Sequence, residues 1–326
     1  MMRTVLAGDL GGTKCRFALV DERFGVHCVQ RIDTIRERGA FLDGARAAIA
    51  AVLEAGAKQS QLAAPTGFGV GAAGVVDVTG SALGDPPNLP LGGFALRDWL
   101  VEASGGLPTA LINDGRASGM GEYLCGHARG HDPLLCVFFG TGIGIGLVVD
   151  GKPFAGGTNA AGEIGHTVFR PGGRRCPCGG LGHFEAYCGG RSITERAAEE
   201  IGPAADGHWT VDDVVATAAA SPANGSADDP RAAAARLILA DARSAASTLI
   251  ANATMLLNPN AIALGGGVLK GWPALQSAVI AHVRESLDPV YHRDLKFVDS
   301  LGGSDAILWG AAAAAKADFF AQPEQG

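Results

Sequence analysis

Residues 4–21 read TVLAGDLGGTKCRFALVD, and residues 134–150 read LLCVFFGTGIGIGLVVD. Each stretch is a short apolar run, a glycine-rich break and a second apolar run that ends on an aspartate. Alternation on either side of the breaks predicts strands, so each glycine segment joins two antiparallel strands and opens no helix. The two stretches share a plan more than residues. One strand–loop–strand unit near the start and another near the middle predict two related lobes facing a common ligand.

Around these units, strands and helices interleave. GVHCVQRI (25–32) extends the first meander, FLDGARAAIAAVL (41–53) has helical spacing, and GFGVGAAGVVD (67–77) is a strand ending in glycines. A short helix is expected over 94–101, a buried strand at TALIND (109–114), and a helix through GRASGMGEYL. Residues 202–230 are polar and looser. A long helix from Arg231 to Leu257 stops at Asn258-Pro259, AIALGGG (261–267) is a strand into a glycine turn, and helices close the chain over 272–287 and 307–320. The class is α/β.

A length of 326 residues fits about two domains. With 47% hydrophobic residues the chain can bury large cores without disulfide staples. A net charge of −7 argues against a nucleic-acid-binding surface. No apolar run reaches membrane-spanning length, and Asp9 interrupts any signal-like core, so a soluble, cytoplasmic protein is expected. Of the seven cysteines, Cys15, Cys28, Cys125 and Cys136 stand singly as buried thiols would. Cys176, Cys178 and Cys188 cluster, which in a cytoplasmic protein points to metal before disulfide.

Three glycine loops at strand ends are candidate phosphate or nucleotide contacts: Asp9-Leu10-Gly11-Gly12-Thr13-Lys14, Gly140-Thr141-Gly142 within 139–146, and Gly265-Gly266-Gly267. Glycine admits close backbone approach, and amides, threonine and lysine donate to oxygens. The first loop would equally serve as a tight hairpin with a surface lysine, and the second as a bulged strand pair. Gly69-Val-Gly71-Ala-Ala-Gly74 matches a dinucleotide fingerprint, but turn formers follow where a helix must open, so that reading is rejected. Asn113-Asp114 ends a buried strand, where a carboxylate can take a proton from an attacking hydroxyl. On residue type alone, Asp114 is better read as the cap of the next helix. His166, Cys176, Cys178 and His183 offer four ligands within eighteen residues, a closed tetrahedral zinc set, with Glu163 and Glu185 flanking it. A redox-sensitive cysteine pair with unrelated histidines is the alternative.

In order, DLGGTK, GVGAAGVVD, PNLP (87–90), ND (113–114), FGTGIG (139–144), AGEIGH (161–166), CPCGGLGHFEAY (176–187) and NPNAIALGGGV (258–268) resemble the ROK family of repressors, open reading frames and sugar kinases, in the actin-like ATPase superfamily. The resemblance implies two ribonuclease-H-like lobes around a cleft, here 1–115 with helix 307–326, and 116–306 with zinc loop 166–183. It implies ATP on Asp9, Gly11, Gly12, Thr13, Lys14, Gly140, Thr141, Gly142, Gly265 and Gly266, with Asp9 helping to hold Mg²⁺. Asp114 becomes the catalytic base, and Asn113, Asp114, Glu163, His166 and Glu185 the sugar contacts. His166 then serves both zinc and sugar. His183 stands where the family pattern usually has a third cysteine.

The activity implied is ATP-dependent phosphorylation of a hexose, glucose first, with N-acetylhexosamines, mannose and fructose behind, in a homodimer. A sugar-responsive repressor of the same family would carry a DNA-binding domain before DLGGTK, whereas eight residues precede Asp9. An actin-like filament or chaperone ATPase leaves ND, GEIGH and the metal loop unexplained.

Overall fold

The computed structural model describes residues 1–320 apart from 85, 87, 205, 221–228, 302 and 303. Pro87 of PNLP, residues 205 and 221–228 of the polar stretch before Arg231, and residues 321–326 therefore lie outside the described residues. The first part of the chain forms β1 (Met2–Leu10), β2 (Lys14–Asp21), β3 (Val26–Asp33), α1 (Arg38–Ala57), β4 (Leu62–Ala72), α2 (Leu96–Ala103), β5 (Thr109–Asn113) and α3 (Asp114–Cys125). There follow β6 (Leu134–Phe139), β7 (Ile143–Val149), β8 (Lys152–Pro153), α4 (Glu185–Cys188), α5 (Gly190–Glu200), α6 (Val211–Ala219) and α7 (Pro230–Leu257). The last elements are β9 (Ala261–Gly265), α8 (Gly267–Gly271), α9 (Pro273–Ser286), β10 (Lys296–Asp299) and α10 (Ser304–Ala315).

Among the described residues two five-stranded sheets result, ordered β3-β2-β1-β4-β5 and β10-β9-β6-β7-β8. Counted within each set, both have the order third, second, first, fourth, fifth, so the repeated plan in the sequence is a repeated topology. The chain divides into two compact units. One comprises Met1–Cys136, Gly146–Gly162 and the chain from Asp299 onward; the other comprises Val137–Ile145 and Glu163–Val298. β6 and β7 contribute to both.

In the first unit β1 is central, antiparallel to β2 and parallel to β4. Its near-continuous burial is that of a strand covered on both faces. Leu6, Leu10, Phe17, Phe41, Ile49, Phe68 and Leu100 build one core, with the Phe17 and Phe68 rings 6.4 Å apart. α10 packs against α3, β4 and β1. Glycines allow that helix to come down onto backbone: a Cβ at Gly69 would overlap the Ala311 carbonyl, one at Gly121 the Ala306 carbonyl, and one at Gly310 the Ala117 carbonyl. The fingerprint-like glycines 69 and 71 thus serve helix packing, and no helix opens after β4.

In the second unit the 28-residue α7 is the central helix, packed by α4, α5, α6 and α9. It ends at Asn258 in the left-handed conformation (φ 43°), ahead of Pro259. Asp241 on α7 accepts from Arg170 at 2.6 Å and from Arg196 of α5 at 2.7 Å, tying the 167–184 loop to the helix layer. α4, α5 and β10 were not expected from the sequence. Among the described residues no helix is long and apolar enough to cross a membrane.

Because the α3–α10 approach is backbone on backbone, overpacking should be felt there more than in a side-chain core. Gly121→Val is expected to lower stability by at least about 1–3 kcal/mol in denaturant unfolding, whereas Gly105→Ala, in open space at φ 75°, carries only the left-handed backbone penalty. Equal losses would show that close approach is not the constraint.

Candidate active site

In the first unit the candidate residues lie at strand ends on one sheet. Asp9 is in register with Gly71 of β4, and Gly71 with Ile112 of β5, so Asp9 and the β5 terminus are two strands apart, about 10 Å between backbones. The Asp9 carboxyl is raised to about 7, chiefly by burial and then by the Asp114 charge, while Arg16, its cross-strand partner, opposes the shift. Two carboxylates repel each other here, with one guanidinium beside them.

Asn113 decides what Asp114 does. Its Oδ1 accepts from the Arg116 amide at 3.1 Å and so caps α3, which removes the cap role that residue type alone suggested for Asp114. Asn113 Nδ2 donates to the Gly74 carbonyl at 3.1 Å and to Asp114 Oδ1 at 3.0 Å. Gly115 N also donates to that oxygen, at 2.9 Å. Asp114 is therefore oriented by its neighbours, and Asn113 acts as its positioning group.

The 11–14 turn closes with Gly11 N donating to Lys14 O at 3.2 Å. Thr34 secures it, donating from Oγ1 to Gly11 O at 2.7 Å and from N to Thr13 O at 2.8 Å. Thr13 and Lys14 are exposed. Gly12 faces Asn88 so closely that a Cβ would touch the asparagine Cβ at 2.5 Å.

A further element was not legible in the sequence. Arg116, buried on α3, donates to Asn159 Oδ1 and to the Asn159 carbonyl, both at 2.7 Å. Asn159, with φ 60°, donates in turn to the carbonyls of Val76 and Asp77 at 3.0 and 3.1 Å. One asparagine thus holds the α3 start, the 74–77 turn and the strap that leads into Glu163. Contacts 43 and 83 residues apart leave no local pattern to find.

In the second unit the 139–142 loop is held on three sides. Gly190 N donates to Gly140 O at 2.9 Å and Arg191 N to Thr141 O at 3.0 Å. Glu185, opening α4, accepts from Ile143 N at 2.8 Å through Oε2. Gly266, at φ 103°, lies against the Phe139 backbone where a Cβ would overlap it, and Gly265 ends β9 beside it. The second and third glycine segments and Glu185 are thus one assembly.

The four metal-ligand candidates also meet. The ligand atoms of His166, Cys176, Cys178 and His183 lie within 4.8 Å of one another. Pairing of Val168 with His183, and of Arg175 with Leu181, folds the loop back on itself, helped by Gly179 (φ 95°) and Gly182 (φ 73°). Cys176 Sγ is 3.6 Å from His166 Nδ1, and Cys178 Sγ is 3.2 Å from His183 Nδ1. Around a tetrahedral zinc, metal–sulfur and metal–nitrogen bonds of about 2.3 and 2.0 Å leave such pairs about 3.5 Å apart, so the set fits the ion. Burial pushes the Cys176 thiol up to about 12, inert unless a cation draws off its proton. Cys188 stands apart, buried and donating to the Phe184 carbonyl at 3.3 Å. His166 Nε2, on the other side of the ring, is 3.8 Å from the Glu163 carboxylate.

Two sheets of one strand order, each with a glycine loop between its first two strands, define an actin-like ATPase fold. A profile of the ROK family matches residues 5–318, and the chain belongs to that family. A glucokinase of Streptomyces coelicolor is 33% identical over 198 residues, 61% of this chain and 60% of that protein. An N-acetylmannosamine kinase of Salmonella typhimurium is 36% identical over 203 residues, 61% of this chain and 65% of that protein. The matched region thus spans under two thirds of these curated relatives. Among solved structures, a ROK family glucokinase from Streptomyces griseus in complex with glucose and AMPPNP superposes with a TM-score of 0.76 at 25% identity, covering 96% of this chain and 99% of that one. A ROK family transcriptional regulator superposes with a TM-score of 0.77 at 26% identity, covering 96% of this chain and 77% of that one.

The raised Asp9 carboxyl has a consequence for stability. Between about pH 4 and 7 the folded chain holds a proton that the unfolded chain, ionising near 3.8, has released, so stability falls as pH rises through that window. Without nucleotide or divalent cation, Asp9→Asn is expected to raise the unfolding temperature more at pH 8 than at pH 5. Parallel profiles for the two proteins would show that Asp9 titrates normally.

Proposed function

We propose that the chain is an ATP-dependent hexose kinase, moving the γ-phosphoryl group of ATP to a sugar hydroxyl, with glucose the leading acceptor. The observation that carries this reading is the Asn113–Asp114 pair: the helix cap is supplied by Asn113, and Asp114 is held by Asn113 and Gly115 at the end of β5. A carboxylate so held suits general-base work, taking the hydroxyl proton as the oxygen attacks phosphorus. The names of the relatives, glucokinase and N-acetylmannosamine kinase, agree on phosphoryl transfer to a sugar and differ in the sugar.

Asp9 would help hold Mg²⁺, an ion that lowers the repulsion between the two carboxylates as well as neutralising the phosphates. Gly11, Gly12, Thr13, Lys14, Gly140, Thr141 and Gly142 would meet ATP phosphates, and Gly265 and Gly266 its ribose or base. Asn113, Glu163, His166 and Glu185 would meet sugar hydroxyls. With Nδ1 on zinc, the remaining proton of His166 sits on Nε2, which then donates to one hydroxyl while the nearby Glu163 accepts from another. Zinc on His166, Cys176, Cys178 and His183 would be structural, since four protein ligands close the tetrahedron.

A repressor reading draws support from the regulator's TM-score of 0.77, and the net charge of −7 weighs against it. A coupled ATPase assay over hexoses and N-acetylhexosamines, run beside DNA-binding measurements, separates the two. Sugar-stimulated ADP release with glucose fastest is expected; no release with any sugar would sink the kinase reading.

Asp114→Asn should keep sugar binding and lower kcat by about 10²–10⁴-fold, because the amide has the shape but not the basicity. More than about a tenth of wild-type turnover would place the base elsewhere. Metal analysis is expected to find one zinc per chain in wild type and Cys188→Ser, and little in Cys178→Ser or His183→Ala, whose KM for sugar rises. Full zinc in the His183 variant and none in the Cys188 variant would reassign the fourth ligand to Cys188.

A further inference from the structure

Arginine keeps its proton inside a protein and presents five N–H donors, so a buried guanidinium needs acceptors for them. Arg16 on β2 is 7% exposed. Nη2 donates to Asp305 Oδ1 at 2.7 Å, while Nε and Nη1 are buried with no partner among the described residues. Three donors are left unmade, an arrangement that proteins avoid unless something else supplies the acceptor. The partner it does have is weak, because the Asp305 side chain at the start of α10 is 46% exposed and water screens the pair.

The place of Arg16 says what that acceptor is. It lies cross-strand from Asp9 and two residues beyond the 11–14 turn. Its charge acts on Asp9, and the Asp114 charge acts on the same group. Neither carboxylate accepts a hydrogen bond from the guanidinium, whose one acceptor among the described residues is Asp305, and its fork geometry suits paired oxygens of a phosphoryl group.

We propose that Arg16 is a catalytic residue: on nucleotide binding its guanidinium leaves Asp305 and takes oxygens of the phosphoryl group in transfer. This rests on the kinase reading. In the reaction the bond from the γ-phosphorus to the oxygen of ADP breaks and that oxygen leaves with the electron pair. The bond from phosphorus to the sugar oxygen forms, and the hydroxyl proton passes to Asp114. Arg16 keeps its protons throughout and meets negative charge that builds on the phosphoryl and leaving oxygens, where a preorganised donor acts most strongly. Asp305 is then a holding partner for the resting enzyme.

Arg16 and Asp305 form one ion pair, and that permits a discriminating test. If the pair merely ties α10 to β2, removing either end does the same harm. With Mg²⁺, ATP and glucose, Arg16→Met is expected to lower kcat by about 10²-fold or more, and Arg16→Lys by about tenfold, since a point charge replaces the fork. Sugar KM stays within about twofold in both, and Asp305→Asn keeps kcat within about twofold although it breaks the same pair. Equal losses in Arg16→Met and Asp305→Asn, or full turnover in Arg16→Lys, would overturn the proposal. Should Arg16→Met fail to fold, Arg16→Lys decides alone. A wild-type protein that neither binds MgATP nor phosphorylates any sugar overturns the kinase reading itself, before any variant is made.

Discussion

The mutual repulsion of Asp9 and Asp114 is the constraint on which the first unit turns. Both carboxylates sit at carboxyl ends of parallel strands, and the strand order that puts β4 between β1 and β5 keeps them close enough to feel each other. A fold selected for stability alone would not place two acids and a half-satisfied arginine at one edge. The surrounding structure accepts the arrangement because it is rigid. α10 is seated on α3 and β4 through glycines, Asn113 caps one helix while steering Asp114, and Asn159 locks three segments with four hydrogen bonds. A cation and a phosphate would turn this local deficit into binding energy, which is the physical sense of a site that is complete only when loaded.

The second unit solves a different problem. Its functional candidates lie in glycine-rich chain with little side-chain bulk to hold them. Backbone bonds from α5 and the Glu185 carboxylate clamp the 139–142 loop, while the 167–184 hairpin is folded by strand pairing and moored to α7 through Asp241. Its fold-back brings the four soft and borderline ligands together. Metal would add a cross-link to a loop whose own packing rests on Phe169, Phe184 and Tyr187.

Much of this was legible in residues. Glycine clusters at the ends of apolar runs marked the strand–loop–strand units, and the spacing of His166, Cys176, Cys178 and His183 marked a convergent set. What stayed hidden was set by tertiary contacts. Residue type favoured Asp114 as the helix cap, and the neighbouring asparagine took that place. Gly69 and Gly71 mimicked a nucleotide fingerprint because a helix that begins 233 residues after Gly71 needs them small, and nothing in the strand 14–21 singled out Arg16 as buried. The α4–α5 segment went unread because its Cys188-Gly-Gly junction suggests loop, although Gly189 packs against the Thr141 carbonyl and Gly190 against that of Gly140.

Calorimetric titration of ATP into wild type and Asp9→Asn, each with and without Mg²⁺ at pH 8, addresses the central claim most directly. If the carboxylate pair exists to hold a cation against phosphate, wild type binds ATP tightly only with Mg²⁺, and Asp9→Asn loses that dependence together with most of the affinity. Binding of equal strength in both proteins, indifferent to Mg²⁺, would contradict the account.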